Sequence, residues 1–588
     1  MENTRSIPPT GSREILHFGN TARGPTDDSD GDGTRKHAEF LLGLDPADGT
    51  SAFRATILPA SGGFTLTWSP AHDGRERSDS AAGVLRGGAR RLYLTFRPSS
   101  FSVCTPPPPN HSMKFQSTRK PLTKALCGSF LAVVALLTSP VATAELSERF
   151  IPDEMGRELV PGGFVAITED RKGVIRYTAD DYRRMVRMGA NFQVIRLSLG
   201  RLGGWPGTTA DPTYPAQLDE MVRMGREAGM KTIFKLVVYG IKSFGPGHWE
   251  ALWKNADGSQ DALIEAWRNI WIRYKEDPSV FGYDLLNEPQ RGLEPDEHRC
   301  VRESLVPTLR RLTDAMHAVS PEKWALYQPL FRDSGNGVGP FTPMREALGR
   351  DRVIYAPHMY TTNLKTMRET LDRYEREAAL SKAPLLLGEW GPSVALTVDD
   401  DPQRQAFYTS VYQATAGALD RRRIGGIKAW FCGSRSPLEN KKSKTKYTWA
   451  LFSDTLPVGR VERKYLVDSL ARPRPLVVAG RLESYGFHFG TRTLRTQLNP
   501  DAALGATELF VPKDRFYPAG FRVEIGTGLV MASKPGVGEL DVIHSAGDLD
   551  SRQSRRIRWD DEKQRLVIDA WEVNTPGLDV KIVPLDRR

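Results

Sequence analysis

The sequence predicts an α/β fold, a (β/α)8 TIM barrel, followed by a C-terminal all-β sandwich domain. Three observations carry that expectation. Between 162 and 431, short apolar runs alternate with amphipathic stretches, the pattern of a buried parallel sheet joined by helices. Eight such runs occur, the number that closes a barrel. From Arg472 onward the segments shorten, alternate with period two and are separated by turns, as in packed antiparallel sheets.

In order, the barrel strands are expected in GGFVAI, FQVIRLSL, TIFKLVVY, VFGYDLLNEP, WALYQPL, VIYAPHMY, PLLLGEW and GIKAWF. Between them, DDYRRMVRMGA, PAQLDEMVRMGREAGM, ALIEAWRNIWIRYKED, VRESLVPTLRRLTDAMHAVS, LKTMRETLDRYEREAAL and RQAFYTSVYQATAGALDRRR place apolar residues three and four apart, as helices do. Between the fifth and sixth strands only PMREALG offers a helix. RPRPLVVAG reads as a Pro-rich hinge between domains. The barrel is therefore expected over 145–471 and the β-sandwich over 472–588, in LRTQLN, TELFVP, FRVEIGTGLVMAS, RIRWD, RLVIDAWEV and DVKIVPL.

The beginning of the chain is of another kind. Residues 113–144 carry Lys114, Arg119, Lys120 and Lys124, then an apolar stretch from Ala125 to Leu137, then Ala142-Thr143-Ala144. Those are the three parts of a secretory signal peptide, and the apolar stretch falls short of the roughly 20 residues that cross a membrane. Translation is expected to start at Met113, with cleavage near Ala144 and a secreted or periplasmic product. Residues 1–112, rich in Gly, Ser, Pro, Arg and Asp and ending in CTPPPPN, are expected to be a disordered or over-long upstream extension.

The formal charge of +10 drops to +6, from 65 basic and 59 acidic side chains, once residues 1–144 are removed. Those charges are interspersed along the chain, so no nucleic-acid partner is expected. Cys104 and Cys127 leave with the leader, and Cys300 and Cys432 alone are not a disulfide framework. The ten histidines form no HxxxH and the cysteines no CxxC, so no metal and no cofactor are expected. A monomer is the expected state.

In a barrel of this kind the chemistry sits at the C-terminal ends of the strands. Those ends present Arg196, Asn287 with Glu288, His358 with Tyr360, Glu389 with Trp390, and Trp430. A glutamate closing a run as apolar as LLLGEW is costly unless it faces a polar pocket. Two carboxyl groups, Glu288 and Glu389, facing one cleft are the equipment of a glycosidase: one gives a proton to the leaving oxygen while the other, ionised, attacks. Arg196 beside Glu389 would favour the anion.

These residues in this order resemble glycoside hydrolase family 5, over roughly 150 to 440 of the chain. The resemblance implies that Glu288 in LLNEP is the acid/base and Asn287 the amide that binds the neighbouring sugar hydroxyl. It implies Glu389 in LLLGEW as nucleophile, Tyr360 in PHMY as the phenol bonded to it, His358 as its companion, Arg196 in VIRLSL as the second-strand arginine and Trp430 in KAWF as the sugar platform. One family element is missing, a histidine near the end of the third strand; Lys235, Tyr239 and His248 in TIFKLVVYGIKSFGPGHWE are the candidates to replace it. RPRPLVVAGRLESYGFHF, ATELFVPKDRFYPAGFRVEI and GGFVAITEDRKG are similar to the bacterial endoglycoceramidase branch.

The resemblance implies a secreted retaining β-glycosidase acting by double displacement between glycan and ceramide. Its partners would be a glycolipid or glycan substrate and, transiently, lipid micelles or a membrane surface. Retention requires the two carboxyl groups to stand about 5 to 5.5 Å apart. GRLGGWPG, GIKSFGPGHW and the loop after Trp430 offer apolar walls for the lipid. The rivals are an endoglucanase, mannanase or β-glucosidase on polysaccharide or oligosaccharide and, in a different class, a non-catalytic carbohydrate-binding surface protein, against which the presence of both glutamates argues.

Overall fold

A computed structural model describes residues 54–60, 63–69, 77–81, 150–166, 177–238, 241–331, 351–429, 431, 447–452, 461–526, 528–534 and 539–585. The expected leader at 113–144, PMREALG, Tyr239, Trp430 and Cys432 lie outside the described residues. The sequence predicts no fold over 1–112, yet Arg54–Ala60, Gly63–Ser69 and Arg77–Ala81 form a three-stranded antiparallel sheet, with Ile57 opposite Leu66 and Leu66 opposite Asp79. The strand signal is the alternation in GFTLTWS, which the surrounding Gly, Ser and Pro obscure.

The barrel strands are β1 (Gly162–Ala166), β2 (Phe192–Ser198), β3 (Lys231–Val237), β4 (Val280–Asp284), β5 (Trp324–Tyr327), β6 in two pieces (Val353–Tyr355 and His358–Met359), β7 (Leu386–Trp390) and β8 (Gly425–Lys428). Each runs parallel to its neighbour, and the pairing Gly426 to Gly162 joins β8 to β1. His358 opposite Glu389 and Tyr355 opposite Leu385 join β6 to β7, so the ring is complete. β6 breaks at Ala356-Pro357, where proline has no N–H to give to a ladder.

Every strand sends one apolar side chain into a common interior layer: Val165, Val194, Ile233, Phe281, Leu326, Ile354, Leu386 and Ile427. Outside, the helices bury the faces their spacing predicts, as in Ala179–Arg187 with Tyr182, Met185 and Val186, and in Ser259–Tyr274 with Trp267 stacked on Trp271. The stretch VRESLVPTL is one helical run with a π turn at Val301–Leu305 ahead of Val306–His317, and Pro307, which lacks an N–H, comes one residue after Val306 takes over from the π turn. Cys300 at its start is buried outside any disulfide, and burial pushes its thiol up to about 12.

The C-terminal part holds two antiparallel sheets of six strands each, sharing one core that includes Leu482, Leu498, Leu509, Phe521, Val523 and Leu566. Two expectations change here. RPRPLVVAG is no hinge: Arg474–Val478 is a buried strand between Thr507–Phe510 and Glu158–Leu159. Buried partners fix it, since Arg472 is ion-paired with Asp420 and Arg474 donates to the carbonyls of Val160, Gly189 and Pro475. The sandwich also begins earlier than Arg472, because Ile151–Pro152 and Glu158–Leu159 complete one of its sheets. Ile151, Leu159 and Val477 pack onto the interior layer of the barrel, closing its floor. The mouth at the opposite end carries the polar strand ends.

Candidate active site

β3 carries a lysine inside an apolar strand. Lys235 lies two residues beyond Ile233 in TIFKLVV, so the pleat turns both toward the barrel interior, Lys235 one layer nearer the mouth. Register aligns it with Arg196 on β2 and Asp284 on β4, and aligns His358 with Glu389 across β6 and β7. The Lys235 side chain is 1% exposed. Its Nζ donates to Glu389 Oε1 at 2.9 Å and to Gly388 O at 3.2 Å, and stands 3.0 Å from His358 Nε2 and 3.4 Å from Asp284 Oδ2.

Glu389 receives the Tyr360 hydroxyl on its other oxygen, Oε2, at 2.5 Å. Burial acts to raise the carboxyl pKa, but the Lys235 ammonium first, with Arg196 and the Tyr360 hydrogen bond, outweighs it and holds it well below the usual carboxylate range. The sequence assigns that effect to Arg196; in the structure Lys235 leads it. Burial and the charges of Glu389 and Glu288 push the Tyr360 phenol well above its ordinary value, so it stays a donor.

Asn287 and Glu288 lie just past β4, which ends at Asp284. Glu288 has φ +49, a left-handed conformation that costs a non-glycine residue on the order of 1 kcal/mol or more unless its surroundings hold it. Its N–H donates to Gln328 Oε1 at 3.0 Å, and its Oε1 lies 2.8 Å from His358 Nδ1. Gln328 Nε2 in turn donates to both oxygens of Asp284 at 3.0 and 2.8 Å. Asn287 is buried, donates its N–H to Leu236 O at 3.0 Å, and has a side-chain Oδ1 without a partner among the described residues.

Five of the sequence-predicted residues, Glu288, Glu389, His358, Tyr360 and Arg196, thus form one cluster around the mouth, with Asn287 adjacent in the chain; Trp430 is outside the described residues. One oxygen of Glu288, one of Glu389 and a ring nitrogen of His358 lie within 4.8 Å of one another. Those three could face a cation, but the Lys235 ammonium already stands against Glu389 and His358 Nε2. Of the candidates for the missing third-strand histidine, Lys235 is central. His248 stacks on Phe244 at 5.0 Å and accepts from Gly245 N–H at 3.3 Å.

Sequence reasoning passes over three residues. Gln328 ends the strand WALYQPL and met the strand-end criterion. Asp284, the last residue of β4, falls inside the apolar run VFGYDLL, as Lys235 falls inside TIFKLVV. Half-buried Trp449 meets Tyr360 edge-on at 6.1 Å, and no periodic pattern marks it.

The loops after β2 and β3 add an aromatic wall. Trp205 meets Phe244 at 5.3 Å and His248 at 5.7 Å, and Phe244 packs on Trp249, which stacks on Trp253. Trp253 Nε1 donates to Gln290 O at 3.0 Å, which ties the wall to the loop of Glu288.

Two family descriptions match, Cellulase (glycosyl hydrolase family 5) over residues 175–419 and Glycoside hydrolase family 5 C-terminal domain over residues 472–583. The chain belongs to glycoside hydrolase family 5. Among family 5 proteins it is similar to Endoglycoceramidase I of Rhodococcus hoagii, 25% identical over 335 residues, which cover 52% of this chain and 59% of the relative. It is also similar to an Endoglycoceramidase of Hydra vulgaris, 23% identical over 47% of this chain and 50% of that one. The chain therefore matches less than two thirds of the length of either curated relative. The solved endo-glycoceramidase II of Rhodococcus sp. in complex with ganglioside GM3 superposes with a TM-score of 0.54 at 20% identity, over 74% of this chain and 99% of that one. At that identity it shows the shared family 5 fold.

Proposed function

We propose that the protein is a retaining β-glycosidase that cleaves the bond between glycan and ceramide in glycosphingolipids. The observation that carries the chemistry is the pair Glu288 and Glu389, with an oxygen of each within 4.8 Å of the other. That spacing supports a nucleophilic role, being shorter than the roughly 6.5–9.5 Å gap typical of an inverting pair. Glu389 is ionised and aimed by Lys235 and Tyr360; it attacks the anomeric carbon. Glu288 passes its proton to the departing ceramide oxygen, leaving a glycosyl ester on Glu389. Glu288 then takes a proton from water, which displaces Glu389 and restores both groups. The free Oδ1 of Asn287 offers an acceptor for a sugar hydroxyl.

The ceramide part rests on the names of the similar proteins and on the aromatic wall, where partly exposed Phe244 and His248 overlie buried Trp205, Trp249 and Trp253. Incubation with glucosyl- and galactosyl-ceramides in detergent, beside soluble β-glucan and mannan, tests it. Release of intact glycan from the ceramides is expected, and activity on the polysaccharides alone would reject the lipid. Glu288→Gln should lower kcat about 10²- to 10⁴-fold yet recover with azide on an aryl glycoside that has a good leaving group, whereas Glu389→Gln should stay inactive. We further propose export through the leader at 113–144; N-terminal sequencing of the secreted protein should begin just after Ala144, and a start upstream of Met113 would refute it.

A further inference from the structure

We propose that Lys235 is a positioning residue that couples the two carboxyl groups, holding Glu389 on one side and, through His358, orienting Glu288 on the other. This rests on the roles assigned to Glu288 and Glu389 above. An ammonium group has donors and no lone pair, so His358 Nε2, 3.0 Å from Lys235 Nζ, is the acceptor of that contact. A neutral imidazole accepting at Nε2 carries its proton on Nδ1. Nδ1 then donates to Glu288 Oε1 at 2.8 Å. With Oε1 occupied as an acceptor, Oε2 is left to carry the proton destined for the leaving oxygen.

The contacts close on themselves. Lys235 reaches Asp284, Asp284 accepts from Gln328, and Gln328 accepts the main-chain N–H of Glu288. Glu288 is thus gripped by side chain and backbone at the one place where its φ of +49 needs support. Other groups also act on Glu389: Arg196 from β2, Lys428 from β8 and the Tyr360 hydroxyl beyond β6. Among the described contacts, Lys235 is the group that touches both Glu389 and His358 Nε2.

Lys235→Met leaves Asp284 charged and buried and can fail to fold, so the decisive variant is Lys235→Met with Asp284→Asn, which removes both charges together. In the folded double variant, the acid limb of kcat/KM against pH should move up by about one pH unit or more, the effect of losing an opposite charge at contact distance. Nitrogen-15 spectra of histidine-labelled protein give the second readout, with His358 assigned from His358→Asn. Wild type should show His358 protonated at Nδ1 alone, and the double variant should lose that single tautomer. Either readout unchanged in the folded double variant overturns the coupling, as does a wild-type His358 protonated at Nε2. A wild type that hydrolyses no β-glycoside would defeat the functional reading separately, because the tautomer spectrum still decides the role of Lys235.

Discussion

Buried charge is resolved in opposite ways at two neighbouring residues. Glu389 keeps its charge because Lys235 and Tyr360 each bond one of its oxygens. Lys428 on β8 contacts the carbonyls of Ala429 and Trp449, and burial pushes its amine down to about 7 against the opposing influence of Glu389. An unfolded lysine titrates near 10.5, so between those values the unfolded chain binds a proton that the folded chain has released. Stability should therefore rise as pH climbs from about 7 to 10.5. Lys428→Met should abolish that slope, as read from denaturant midpoints at neutral and alkaline pH. Both glutamates were legible in the sequence, since a carboxylate closing an apolar run has few structural excuses. The roles of Lys235, Asp284 and Gln328 were not, because their partners lie on other strands and only register brings them together.

Among the elements, the loops after β2, β3 and β4 matter most. Helix Pro246–Lys254 escaped the sequence reading, for it opens on Gly-Pro-Gly and has a short apolar face, yet it supplies most of the aromatic wall. Phe244→Ala should raise KM for a glycosylceramide about tenfold, the worth of one apolar side chain's contact, while leaving KM for a soluble aryl glycoside unchanged; an equal rise on both would remove the wall from lipid recognition. Gln328, at the end of β5, supports the loop of Glu288. Gln328→Leu leaves the Glu288 N–H and the Asp284 carboxylate short of a partner, which should cost about 1–3 kcal/mol of stability and lower kcat more than it changes KM. Denaturation and steady-state kinetics on the same preparation check both halves. The broken β6 follows from Pro357, readable in VIYAPHMY once the strand is known to bridge two neighbours.

At the scale of the molecule, barrel and sandwich form one structure through the barrel floor. RPRPLVVAG looks like a linker by composition, and nothing local reveals that Asp420 and the carbonyls of Val160 and Gly189 are waiting for its two arginines. Gly162 is part of the same fit, since a Cβ there would stand 2.2 Å from Arg474 Nη2. A chain ending at Ala471 should therefore be recovered aggregated, with Ile151 and Leu159 uncovered; a soluble truncation that unfolds cooperatively would show the floor to be dispensable. The pairing of Leu159 with Val477 also dictates an order of events during synthesis. The segment from Ile151 to Leu159, apolar at both ends and paired only within itself, must wait while the ribosome delivers the entire barrel. Contacts of such long sequence separation form slowly, so nascent chains should lean on chaperones until the closing strand emerges.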